Sequence, residues 1–207
     1  MEKPVTPNDV THLLEGIIVP FYGIERDMLV PLGPPENRRN ENDAEHSWSV
    51  TIIGCSLAPR IDPKLDIGLV AQFGSIHDIP ELRDGDTSIW ADKEQLASKA
   101  SRESDTIQAI STSYSEFPWL IETLKAYERQ DTPEARYVRA IDKCIAVAMR
   151  LMDEGDYYHR RKITQVEWEA GTESSRQKAH AHPAVGEIFE AIRAEFLNHP
   201  EYFYQAE

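Results

Sequence analysis

Cysteine is scarce in this chain, with only Cys55 and Cys144 among 207 residues. Both fall within apolar stripes of helical period, so they read as free core thiols rather than a disulfide, which fits a reducing compartment. No apolar run approaches the roughly 20 residues that a membrane span needs, and the N-terminus has no basic segment leading an apolar core. The cytoplasm is the expected location, and no membrane partner is expected. Basic side chains are also in deficit: 22 Lys and Arg against 36 Asp and Glu give a net charge of −14. That balance argues against a nucleic-acid backbone as partner, and any site for an anionic substrate must be made positive locally by metal and a few arginines. Repeats, heptads, low-complexity tracts and persistent strand-like alternation are missing as well. A chain of this length is expected to form one domain, residues 1–207, with a sizeable core.

What is present is helical period. Asn8 or Thr6 can cap a first helix that Pro20 ends near Val19, and residues 21–42 read as loop, proline-rich at Pro31, Pro34 and Pro35. A second helix is expected from about Ala44 to Ala58, stopped by Pro59, and a third from about Leu65 to Ile79, entered at Asp62-Pro63. Further helices are expected near 93–114, 118–129 and 133–154. The segment 155–182 is polar and aromatic without clear period, and His182-Pro183 opens a last helix to about Leu197. The expected fold class is therefore an all-α compact bundle.

Three of these helices carry a residue of metal-ligand type on the face that should point inward. His46 heads the stripe Val50, Ile53, Leu57; His77 continues Val70 and Phe73; Asp142 lies in the stripe Val138, Ile145, Met149, Met152. Asp78 follows His77 directly. A lone histidine on an apolar face is commonly a hydrogen-bonded core residue, and a His-Asp dipeptide occurs by chance. A lone buried carboxylate such as Asp142, however, costs several kcal/mol unless it is paired or metal-bound. The coincidence on three helices points to a metal site of His46, His77, Asp78 and Asp142. Two imidazoles and two carboxylates suit one borderline or hard divalent cation, of the Co²⁺, Mn²⁺, Zn²⁺, Fe²⁺ or Mg²⁺ kind.

Three strings then carry a family resemblance: Arg39-Asn40-Glu41-Asn42-Asp43-Ala44-Glu45-His46-Ser47; His77-Asp78-Ile79-Pro80-Glu81-Leu82-Arg83-Asp84-Gly85-Asp86; and Thr132-Pro133-Glu134-Ala135-Arg136-Tyr137-Val138-Arg139-Ala140-Ile141-Asp142-Lys143-Cys144. Their order and spacing resemble the HD-domain metal phosphohydrolases, and within them the YfbR-like and HD-domain-containing-protein-2-like 5'-deoxynucleotidases, over about residues 22–155. The resemblance implies a helical bundle around a central divalent metal and removal of the 5'-phosphate from (deoxy)ribonucleoside monophosphates. The partner would be a small nucleotide, and a homodimer is compatible with it. Arg26 stands for the family's nucleotide-holding arginine, but Asp27 follows it where the family has tryptophan, so deoxyribose preference is not implied.

The other motif residues divide by role. Glu81, four residues after His77, would orient or deprotonate the attacking water. Asp86, in a turn after Gly85, would contact substrate or assist catalysis. Arg26 and Arg39 are candidate phosphate clamps, since guanidinium binds phosphate oxygens in pairs. His180 and His182 sit in a polar stretch before a helix and read as structural. Trp48 and Trp90 could stack on a base, although Trp48 reads more simply as core. One alternative is an HD phosphodiesterase or pyrophosphohydrolase acting on a cyclic nucleotide, an alarmone or a nucleoside triphosphate; Leu82 stands where alarmone hydrolases carry a second acid. Another is a non-catalytic nucleotide-binding module, which the presence of all four ligands and Glu81 does not favour.

Overall fold

The computed structural model describes residues 4–32, 34 and 38–206; Pro35 of the proline-rich loop lies outside them. Among the described residues the chain is mostly helical, and no helix is long and apolar enough to cross a membrane. Thr6 caps α1 (Pro7–Leu13) through a reciprocal capping box with Asp9. Pro20 does not end this helix as the sequence suggests. The chain widens into a π-turn at Leu14–Ile18, in which Val19 N–H reaches the Leu14 carbonyl, and continues as α2 (Val19–Tyr22). The wider turn accommodates a proline ring and its missing N–H.

Residues 21–42 are likewise not all loop. Strand β1 (Glu25–Leu29) pairs antiparallel with β2 (Asn40–Asn42). Its residues Glu25, Arg26 and Asp27 are too polar to show alternation. Helix α3 (Asp43–Ile61) starts at an Asn42–Glu45 capping box and runs past Pro59, which costs only one bond in the last turn. The entry to α4 (Ile67–Ile76) is Asp66, whose carboxylate accepts from Gly68 and Leu69 N–H, not Asp62-Pro63. His77 closes that helix, and Pro80 opens a 3-10 turn at Ile79–Leu82.

Helices α5 (Lys93–Ser113), α6 (Pro118–Arg129) and α7 (Pro133–Met152) fall close to their expected bounds. The stretch after them is a correction. It holds α8 (Asp156–Arg161) and α9 (Gln165–Ala179), the latter capped by Thr164 with Glu167. The buried face of α9 is Trp168, Thr172, Ser175 and Ala179, a helical stripe half made of polar types. Helix α10 (Pro183–Leu197) follows, with Phe196 and Phe203 packed on Trp168 at ring separations of 5.1 and 5.3 Å.

Helix α7 is the central element, touching α3, α4, α9, α10 and β1. Tyr137, Val138, Ile141 and Ile145 are buried along it, and the Tyr137 hydroxyl donates to the Gly54 carbonyl of α3 at 2.9 Å. Three apolar assignments differ from the sequence pattern: Met152 and Ile53 lie outside the core, and Trp48 is 68 % exposed rather than core. Cys144 is buried and Cys55 half-buried, both as free thiols.

Candidate metal centre

Three helices bring His46, His77 and Asp142 together. His46 is one turn inside α3, on the same face as buried Val50; His77 sits at the C-terminal end of α4 beyond Phe73; Asp142 lies mid-way along α7 between Val138 and Ile145. All three are buried, and one ligand atom from each lies within 4.8 Å of the others. His46 Nε2 is 3.0 Å from Asp142 Oδ1. Asp78 Oδ2 adjoins this group, 3.3 Å from His77 Nε2 and 3.8 Å from His46 Nε2, but its nearest partner is Arg26 Nη1 at 2.7 Å.

Surrounding groups fix which nitrogen of each imidazole faces inward. His77 Nδ1–H donates to the Gly74 carbonyl at 3.0 Å, which leaves the lone pair on Nε2, buried without a hydrogen-bond partner among the described residues. His46 Nδ1 lies 3.4 Å from Glu41 Oε2, so a carboxylate orients this ring too. Such outer partners are how metal-binding histidines are set in one tautomer. Burial and Arg26 act against a proton on His46, yet Asp142, Glu41 and Asp78 outweigh them and push its pKa up to about 9. The cluster thus draws positive charge inward, and a divalent cation on the same atoms would take the proton's place. A buried nitrogen with no hydrogen bond, set beside a second imidazole and two carboxylates, fits a divalent ion in its chemistry.

Arg26 reaches this group from β1. Its guanidinium donates to Asp43 at 2.9 Å as well as to Asp78, and stands 4.0 Å from Asp86. Burial opposes its charge, but Asp78, Asp86, Asp43 and Glu81 together hold its pKa well above the ordinary arginine value. Burial and the neighbouring Asp78 push Asp43 up to about 7 against the pull of Arg26. Asp78 is held well below the usual carboxylate range, because His77, Arg26 and His46 outweigh the cost of its burial. Arg39 is not brought to the centre. It forms a two-pronged pair with Glu45 at 2.7 and 2.5 Å and is largely exposed. His180 bonds Glu190 at 2.8 Å and His182 caps α10, so neither joins the group.

The HD-domain family matches residues 34–184 of the chain. This chain belongs to the HD-domain family. The crystal structure of a predicted metal-dependent phosphohydrolase from Magnetospirillum magnetotacticum MS-1 shares its fold, with a TM-score of 0.75 over 99 % of this chain and 100 % of that one, at 23 % identity. No curated protein matches the chain.

The HD centre includes residues that sequence reasoning did not single out. Lys143 Nζ lies 2.5 Å from Asp142 Oδ2, and the only signal for it was its place directly after Asp142. Lys99 of α5 lies 2.7 Å from Glu81 Oε1, and no spacing could have revealed that contact. Glu41 and Asp43 stood inside the first motif string, but their inward direction depends on the β1–β2 hairpin. Glu81 itself is buried in the 3-10 turn, with Lys99 on one oxygen and no hydrogen-bond partner among the described residues on the other. Burial, then Asp78, pushes its pKa well above the usual carboxylate range despite Lys99. The centre therefore combines a cation-seeking core with a carboxylate disposed to accept a proton.

Proposed function

We propose that this HD-domain chain is a metal-dependent phosphohydrolase that removes the 5'-phosphate of nucleoside monophosphates. The observation that carries it is the buried His77 Nε2, without a hydrogen bond among the described residues, grouped with His46 and Asp142, with the half-free carboxylate of Glu81 close to the same centre. His46, His77, Asp78 and Asp142 would hold a divalent ion. When bound, that ion supplies Lewis-acid polarisation of the phosphoryl group and acidifies a water.

The protein's own side chains would do the rest. Glu81 accepts the proton of the attacking water; burial and Asp78 raise its proton affinity above that of an ordinary carboxylate, and Lys99 holds one oxygen while the other stays open to the water. The water oxygen bonds to phosphorus as the phosphorus–O5' bond breaks, and the leaving alkoxide takes up the proton that Glu81 accepted from the water. Arg26 and Lys143 are each paired with a carboxylate of the centre, and would add positive charge beside the phosphate once the metal takes over Asp78 and Asp142. Asp86, 4.0 Å from Arg26, would contact the substrate beside the centre. The motif strings' likeness to the 5'-deoxynucleotidase branch and the description of the Magnetospirillum protein support the phosphohydrolase reading.

The test is phosphate release from a panel of nucleoside monophosphates, each with Co²⁺, Mn²⁺, Mg²⁺ and Zn²⁺, before and after EDTA. Release that chelation abolishes and added metal restores is expected. Full activity in metal-free protein would sink the reading.

A further inference from the structure

Beside the metal centre lies a cavity of about 560 Å³, within the range that small-molecule sites occupy. It is joined to the centre through Asp86, which lines it and stands 4.0 Å from the Arg26 guanidinium that bonds Asp78. A substrate with its phosphorus at the centre would extend past Asp86 into this space.

The lining is unusual in charge. Asp84, Asp86, Asp92 and Glu94 face it with two cations, Arg102 and Arg161. Both cations already have protein partners: Arg102 donates to Thr87 at 3.0 Å and to the Gln95 carbonyl at 2.9 Å, and Arg161 pairs with Asp27 at 3.3 Å. A second phosphate entering here would meet four carboxylates with no free cation among those two to receive it. Neutral groups with N–H and O–H donors would instead find acceptors.

One wall is aromatic. Trp90 lines the cavity, and its indole rests against α9 at Gly171, where a side chain would put Cβ 2.4 Å from Cζ3. Its backbone N–H is held by Ser88, whose hydroxyl donates to Asp27 at 2.9 Å, next in sequence to Arg26. The ring is thus fixed in place relative to the centre, as a stacking surface needs to be.

We infer that this cavity binds the nucleoside part of the substrate, with Trp90 stacking on the base, and that its acidic lining limits the enzyme to phosphate esters whose leaving group carries no charge. The assignment rests on the phosphomonoesterase reading above and deepens it. Hydrolysis of AMP, ADP and glycerol phosphate is to be compared in the wild type, Trp90→Leu and Trp90→Phe, alongside quenching of tryptophan fluorescence by adenosine. Base–aromatic stacking predicts that Trp90→Leu lowers the preference for AMP over glycerol phosphate on the order of 10-fold, with Trp90→Phe recovering most of it. AMP should be strongly preferred to ADP, and adenosine quenching should be lost in Trp90→Leu. Equal loss on both monophosphates would make Trp90 merely a packing residue against Gly171 and overturn the assignment, as would ready cleavage of ADP or an unchanged preference. If the wild type cleaves no monophosphate, the phosphomonoesterase reading fails by itself. The adenosine titration then decides the cavity: Trp90-dependent quenching upholds binding there, and no quenching overturns it.

Discussion

Burial acts alike on Glu81 and Asp142, yet their neighbours drive them apart. Around Asp142, Lys143, His46 and His77 outweigh burial and hold the carboxylate well below its ordinary range. Around Glu81, the negative charges of Asp78, Asp86 and Asp43 add to burial and lift it well above. One acid is thereby kept anionic, as a ligand must be, and the other can take up a proton, as a base must. Asp142→Asn should remove an anionic oxygen at constant volume, and metal analysis of the purified variant should show less than stoichiometric ion; full retention would take Asp142 out of the ligand set. Glu81→Gln should keep the metal and lower kcat by about 10²–10⁴-fold with little change in KM, the usual worth of a placed acid–base group. Asp142 was legible in the sequence because it interrupts an apolar stripe. Lys99 was not, because its pairing with Glu81 joins α5 to the 3-10 turn and exists only in three dimensions.

Helices were legible in the sequence where their buried faces are apolar and hidden where they are not. Helix α7 declares itself through Val138, Ile141 and Ile145, whereas α9 buries Thr172 and Ser175 on the same spacing. Both hydroxyl types can hydrogen-bond back into their own helix, as Thr172 does to the Trp168 carbonyl at 2.7 Å, so burying them needs no external partner. Prolines misled in the other direction: Pro20 and Pro59 both lie within helices, since a π-turn absorbs one and the last turn the other. The contact of α3 with α4 is where element packing reaches the centre. A Cβ on Gly74 would stand 2.8 Å from Thr51 Oγ1 and 3.0 Å from its Cα, so Gly74→Ala must push the helices apart. Overpacking of this kind costs about 1–3 kcal/mol, and Tm falls roughly 2–4 °C per kcal/mol in a domain of this size. Because the Gly74 carbonyl also holds His77 Nδ1–H, metal affinity should fall by about 10–100-fold, the usual effect of losing an outer partner of a ligand. Calorimetry and a metal titration on the same variant measure both; a drop in Tm with unchanged affinity would show that the helix contact does not set the imidazole.

At the scale of the whole molecule the issue is charge. The chain carries −14 overall, and its interior repeats the imbalance. Glu41, Asp43, Asp78, Glu81, Asp86 and Asp142 gather around the centre with Arg26, Lys99 and Lys143, six carboxylates against three cations. With neutral histidines this leaves three negative charges in a region from which water is largely excluded, where uncompensated charge is costly. Protons can offset part of it, which is why His46 and Asp43 are pushed upward. One divalent cation offsets most of it while leaving His46 and His77 neutral, so metal and fold should be thermodynamically linked. At a free metal concentration about 100 times Kd, the linkage is about 2.7 kcal/mol, or a Tm rise of roughly 5–10 °C. The rise should appear with Mn²⁺ or Co²⁺, vanish with EDTA, and fail to follow an equal ionic strength of NaCl, since monovalent salt screens the surface but does not enter the centre. Differential scanning calorimetry of wild type and Asp142→Asn in parallel distinguishes the site from nonspecific binding to an acidic surface. A metal-induced shift of equal size in both proteins would place the cation elsewhere.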